Sequence, residues 1–188
     1  MGVDGDYVDR SALVMSSDKF LPFDLTQPLS LGRRFDIVSS LEVAEHLPPS
    51  AAETFVTSLT QHGDVVLFSA AIPGQPGTNH VNCQWPSYWA NLFQERGYEV
   101  RDIVRPRIWT DGEIAPYYRQ NMLVFVRGES LVDTDWRCEA SRGPLDVVHP
   151  ETYAERVLVP LHKIVEHRLR SHNVRTRLRA RARRFTRR

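Results

Sequence analysis

The sequence predicts an α/β domain built on a doubly wound, mostly parallel sheet, followed by a helical extension. Three observations predict it. Two near-continuous apolar runs, FDIVSSL at 35–41 and DVVLFSAAI at 64–72, have the character of inner strands covered on both faces. A segment of helical periodicity lies between them. After them, helix-like and strand-like segments keep alternating, the order expected of parallel strands joined by crossovers.

The first crossover helix is written by Ala52, Phe55, Val56 and Leu59, with Ser50 and Glu53 placed to form a capping box and Gly63 to end it. A second helix is spelled by Trp85, Tyr88, Trp89, Leu92 and Phe93 at spacings of three and four, with Pro86 suited to its first turn and Gly97 to its end. Strand-like residues 98–104 follow directly. A loop holding Trp109, Tyr117 and Tyr118 then leads to a last strand, NMLVFV at 121–126. Residues 1–127 thus read as the domain and 128–150 as an irregular linker with Gly143-Pro144 and His149-Pro150 as breakers. Residues 151–188 read as a helical, arginine-rich extension, with stripes through Tyr153, Val157, Leu161, Ile164, Val165 and Leu169, then Val174, Leu178, Ala182 and Phe185.

Charge separates these parts. The 188 residues carry 24 basic and 23 acidic side chains, yet ten arginines fall in the last twenty-one positions, where there is no acid. The body is therefore acidic and unsuited to binding nucleic acid by bulk charge. The tail suits an anionic membrane or a nucleic acid, or is simply solvated. Cys83 and Cys138 form neither a metal-type pair nor a disulfide framework, which points to a reducing compartment. No signal peptide or apolar span is visible, so a cytoplasmic protein, in part peripheral to a membrane through its tail, is expected.

In doubly wound sheets ligands sit at the carboxyl ends of the strands, which singles out three places. They are Val3-Asp4-Gly5-Asp6 after a short apolar stub, Phe23-Asp24-Leu25 after a short strand at 20–23, and the stretch from Ser40 to Leu47. In that last stretch Glu42, Glu45 and His46 would share one helix face. With His80 from Asn79-His80-Val81-Asn82 they make a set of oxygen and nitrogen ligands suited to a divalent cation. The alternative is a helix entry with two acids at its positive end and a histidine bonded within the cleft. His46 and His80 are also the candidate catalytic bases, since imidazole titrates in the range needed to take a proton from an acceptor. Trp85, Trp89 and Phe93 read as core, whereas the acceptor-facing role of Trp109, Tyr117 and Tyr118 stays open.

The order and spacing of VDGDYV (3–8), FDIVSSLEVAEHLPP (35–49), GDVVLFSAAIPG (63–74), NHVNCQWPSYW (79–89) and GYEVRDIV (97–104) resemble class I S-adenosylmethionine-dependent methyltransferases from their second strand onward, over residues 2–127. The resemblance implies a Rossmann-like sheet with S-adenosylmethionine as cofactor. It places Asp4, with Gly5 beside it, at the ribose, Asp24 and Leu25 at the adenine, and Leu41 with Glu42 near the methionine moiety. The Glu42, Glu45, His46 and His80 set is similar to the metal site of small-RNA 2′-O-methyltransferases. The implied activity is methyl transfer to an oxygen or nitrogen of a small molecule or sugar. The chain departs from the family in one respect: no trio of glycines makes GxGxxG, so the family's first strand, first helix and glycine loop have no counterpart. A reading frame that begins upstream is the favoured expectation; a degenerate, non-catalytic relative on the same scaffold and a strand supplied by another chain are the others. As it stands the chain is expected to bind the cofactor weakly and to self-associate through unpaired strands.

Overall fold

The computed structural model describes residues 1–128, 143–158, 161–165 and 168. Contacts divide the chain into one unit at Met1–Val147 and a second at Val148–Arg188.

The first unit is a mixed α/β structure with an open, mostly parallel sheet and helices. Among the described residues six strands occupy Gly2–Asp4 (β1), Phe20–Pro22 (β2), Val38–Leu41 (β3), Val65–Ser69 (β4), Tyr98–Arg101 (β5) and Leu123–Arg127 (β6). β1 and β2 pair in parallel as a small sheet of their own, and the other four run in the order β3-β4-β6-β5. β3 is parallel to β4, while β6 is antiparallel to both β4 and β5, so β3, β4 and β5 all run one way. β6, the last of these strands in chain order, is therefore inserted inside the sheet, a placement that the order of elements had not revealed.

Strand alternation explains the apolar runs. Val66 and Phe68 of β4, with Leu123 and Phe125 of β6, enter the larger core with Phe55, Val56, Trp89, Phe93 and Tyr98; Val65, Val124 and Val126 enter a second cluster with Ile103. Both faces of the inner strands are covered, so polar residues stand only at their carboxyl ends, Ser69 in β4 and Arg127 in β6. The larger core is aromatic: Phe93 stacks on Phe125 at 3.9 Å between ring centroids, and Phe68 meets Trp89, Phe93 and Phe125 at 5.3, 5.4 and 6.1 Å. The Tyr98 hydroxyl donates to the carbonyl of Thr60, 2.9 Å away, and to that of Gly63, so its polar end is satisfied inside that core.

The helices follow the sequence pattern with corrections, among them Trp85, which was expected in the buried stripe but precedes its helix and is exposed. The crossover helix Ala52–His62 (α1) has no side-chain cap; the expected capping box of Ser50 and Glu53 is not formed, because a 3-10 turn at Pro49–Ala51 leads into it. The aromatic helix Pro86–Gln94 (α2) begins on Pro86, as its spacing predicts, and buries Trp89, Leu92 and Phe93. The chain leaves α2 through Gly97 at φ 78°, a conformation that glycine adopts without strain. Two short helices, Arg105–Ile108 (α3) and Pro116–Asn121 (α4), occupy the segment read as an aromatic loop.

Part of the expected linker belongs to this unit. The Leu145 carbonyl accepts from Arg105 Nη1 at 2.8 Å, and Asp146 accepts from the backbone and hydroxyl of Ser87 at 2.9 and 2.7 Å. In the second unit a short helix at Pro150–Tyr153 (α5) continues as a π-helical turn over Ala154–Leu158. The arginine-rich stripe through Val174, Leu178, Ala182 and Phe185 lies outside the described residues. Among the described residues, no helix is long and apolar enough to cross a membrane.

Candidate functional site

β3 and β4 end side by side, with Leu41 opposite Ser69, and the candidate site is built on the segments that leave them. Glu42 comes first. Its backbone takes a left-handed conformation, φ 53°, uncommon for a side chain of this size, and its N–H donates to the carbonyl and hydroxyl oxygens of Ser69 at 3.0 and 3.1 Å. The turn lifts Glu42 out of the following 3-10 helix, Ala44–His46. Its carboxylate instead accepts from Gln75 Nε2 at 2.7 Å and from Asn121 Nδ2 at 3.2 Å, and Asn121 also donates to Gln75 Oε1 at 2.8 Å.

Glu45 is the least satisfied group nearby. It is fully buried, and neither carboxylate oxygen has a hydrogen-bond partner. Burial is the main reason that its pKa is pushed up to about 7; the adjacent Glu42 charge adds to this, and the nearby N–H groups of Glu45 and Ala71 oppose it in part. An unpaired carboxylate in such a place is costly, so the surroundings invite a proton or a cation.

Two imidazoles face it. His80 Nε2 is 4.0 Å from Glu45 Oε1, and the His46 and His80 rings meet edge to face at 4.9 Å between centroids. One ligand atom from each of Glu45, His46 and His80 can be chosen so that all lie within 4.8 Å of one another. Nitrogen and oxygen ligands about 2.0–2.2 Å from a common ion stand roughly 3.3–4.2 Å apart; the 4.0 Å between His80 Nε2 and Glu45 Oε1 falls in that range, while the 4.8 Å limit of the whole trio reaches beyond it, so the donor atoms suit a divalent cation once the side chains draw slightly closer.

Local backbone explains why the trio converges. The Glu45 carbonyl accepts from the N–H groups of Val81 and Asn82 at 2.9 and 3.0 Å, tying the loop after β4 to the turn after β3. Asn79 adopts φ 57°, which asparagine tolerates, and so turns the chain into His80. Gly77 leaves the space that the ring uses: a β-carbon there would lie 1.9 Å from His80 Nε2. On the ring's other side Cys83 Sγ is 3.7 Å from His80 Nδ1. Burial, then the charges of Glu45 and Glu42, raise the pKa of this thiol. Asn82 is also buried, with its Nδ2 unpartnered.

The residues expected at the cofactor lie elsewhere. Asp4 ends β1, and its Oδ1 accepts from the Gly5 N–H and the Tyr7 hydroxyl at 2.7 and 2.8 Å. Asp24, just past β2, closes its own turn through the hydroxyl and N–H of Thr26, bonds that lower its pKa. Leu25 packs against the core and lines a groove of about 360 Å³ that runs past Val3, Ile37, Ser40 and Val43. The groove is large enough for a small ligand, but its walls are mostly apolar and Asp4, Asp24, Leu41 and Glu42 do not line it.

No protein-family model matches the chain, and a search of curated proteins returned no significant relative.

Sequence reading missed four contributors: Gln75, Gly77, Cys83 and Asn121. Gly77 and Gln75 sit in a Pro/Gly-rich loop whose composition announces a turn but no partner. Asn121 was read as the start of a strand, whereas it ends α4 and turns its amide to Glu42.

Proposed function

We propose that this chain carries the acceptor side of a class I methyltransferase-type site, at which an oxygen or nitrogen nucleophile of a small molecule or sugar is held and deprotonated. The observation that carries the reading is the buried, unpartnered Glu45 carboxylate converging with His46 and His80 beyond the ends of β3 and β4. The sheet order supports it too, since an antiparallel β6 between co-directional β4 and β5 agrees with the resemblance read from the sequence motifs.

Glu45, His46 and His80 would hold a divalent cation, manganese or zinc rather than magnesium given two imidazoles. When bound, such an ion supplies Lewis acidity that lowers the pKa of an acceptor hydroxyl. The chain's own residues do the rest. Glu42, held by Gln75 and Asn121, keeps a negative charge beside the trio, and the unpartnered Asn82 amide offers a hydrogen bond to the acceptor. Without the ion, His46 and His80 are the groups that accept the acceptor's proton.

Calorimetry with manganese and zinc tests this reading. The chain should bind one ion, and His46→Ala with His80→Ala should abolish binding. Parallel titration with S-adenosylmethionine should give weak binding or none, since no glycine trio of the GxGxxG type is present to bring backbone amides to the cofactor. Absence of cation binding, or unchanged affinity in the double variant, would overturn the acceptor-side reading. Tight S-adenosylmethionine binding would overturn the account of the cofactor side.

A further inference from the structure

We propose that the second unit is an interfacial membrane anchor: Leu161, Ile164 and Val165, with Leu158 before them, enter the headgroup region of an anionic bilayer, and the arginines that follow in the chain bind its phosphates. The inference is independent of the cation reading and concerns residues that reading does not use.

Residues 161–165 are helical, and Leu161, Ile164 and Val165 stand three and four positions apart, so they share one side of that helix. His162 and Lys163, between them in sequence, fall away from it. Leu158, Leu161, Ile164 and Val165 are each more than half exposed, and Tyr153 in α5 is half-exposed. One exposed leucine is ordinary. Four large apolar side chains between 158 and 165 form a patch that leaves water only when something covers it. Because the patch is one side of a helix and not its whole circumference, it suits lying in the plane of an interface.

The charge that follows this face in the chain identifies the cover. Ten arginines stand between positions 168 and 188 with no acid among them, while the rest of the chain is acidic. A guanidinium meets a phosphate with two parallel N–H donors, and each one near an anionic leaflet adds an attraction that salt screens. Nucleic acid would engage the arginines and leave the apolar face in water. An apolar protein groove would cover the face and leave the arginines without counter-charge. A bilayer of anionic lipid offers both at one surface, apolar depth beneath a layer of phosphate. Stable anchoring takes two such signals together, since a single apolar element or a basic patch binds only weakly and reversibly.

Co-sedimentation of the full chain with lipid vesicles tests this. The chain should pellet with vesicles of phosphatidylserine and phosphatidylcholine in equal parts and not with phosphatidylcholine alone, and raised salt should weaken binding about tenfold. Leu161→Ser, Ile164→Ser and Val165→Ser in one variant should weaken binding to the mixed vesicles about tenfold and leave the urea midpoint of the first unit unchanged, because these side chains are exposed. Arg177→Gln, Arg179→Gln, Arg181→Gln, Arg183→Gln and Arg184→Gln together should abolish binding. No binding to mixed vesicles, or equal binding by the native chain and the serine variant, would overturn the proposal. Binding to polyuridylate in place of vesicles would overturn it by assigning the arginines to nucleic acid. A dimer that ignores vesicles and is lost in the serine variant would overturn it by making the face a contact between copies.

Discussion

Two buried regions of this domain are organised on opposite principles. Around Phe68, Trp89, Phe93 and Phe125, rings fill space against rings and the Tyr98 hydroxyl is capped by two carbonyls. Next to the ends of β3 and β4, Glu42, Glu45, Gln75 and Asn121 gather charge and amide groups, and the Glu45 carboxylate is left without a hydrogen bond. The first region contributes stability through dispersion and removal of apolar surface from water. The second holds an unpartnered carboxylate away from water, at a cost in stability. Stability and readiness are thus kept a few residues apart: Phe68 and Ser69 are adjacent in β4, the first in the aromatic core and the second holding Glu42.

The largest effect is expected in the aromatic region. Phe93→Ala or Phe125→Ala should cost about 3–5 kcal/mol, measured by urea denaturation, because each ring is fully buried and stacked on the other. A loss below about 1 kcal/mol would mean that the core repacks freely and the contrast fails.

The pH dependence of stability tests the polar region. Because the folded pKa of Glu45 is raised to about 7, its protonated form favours folding. That contribution is fully present below the unfolded value near pH 4.5 and is lost as pH rises through about 7. In chelator-treated protein the loss is on the order of 3 kcal/mol across that window. Glu45→Gln should flatten the slope and leave the chain more stable at pH 8. An unchanged slope would show that Glu45 does not titrate as its burial implies.

Two variants at the edge of the polar region should separate binding from folding. Gly77→Ala must displace the His80 ring; it should weaken cation binding at least tenfold while shifting stability by about 1–2 kcal/mol. His46→Ala, at an exposed position, should change stability by no more than about 0.5 kcal/mol and still lose the ion. If both variants bind as the native chain does, His46 and His80 are structural neighbours and not ligands.

How far the sequence reaches can be seen element by element. The runs at 35–41 and 64–72 identified β3 and β4, though both strands are shorter than their runs: Asp36 and Ile37 precede β3, and Ala70, Ala71 and Ile72 are buried without belonging to β4. Apolar composition reports burial, and a buried loop carries the same signature as a strand. The periodic aromatic helix was legible almost to the residue, because Pro86 and Gly97 are local signals that need no partner.

The chemistry divides in the same way. Residue types suited to a cation site were visible in the sequence, since Glu42, Glu45 and His46 follow one strand-like run and His80 the next. Their geometry was not. Convergence on one helix face required Glu42 to be helical, but its left-handed backbone and its bonds to Gln75 and Asn121, 33 and 79 residues away, set it apart from the trio. By itself the sequence determined alternation, the entry of the aromatic helix at Pro86 and the closeness of Glu42, Glu45 and His46, all of which depend on neighbours a few positions away. Only the tertiary structure decided that β6 lies within the sheet, that Glu45 is buried without a partner, and that Gly77 and Cys83 flank the His80 ring. Those features depend on which distant backbone comes close, and no local periodicity encodes that.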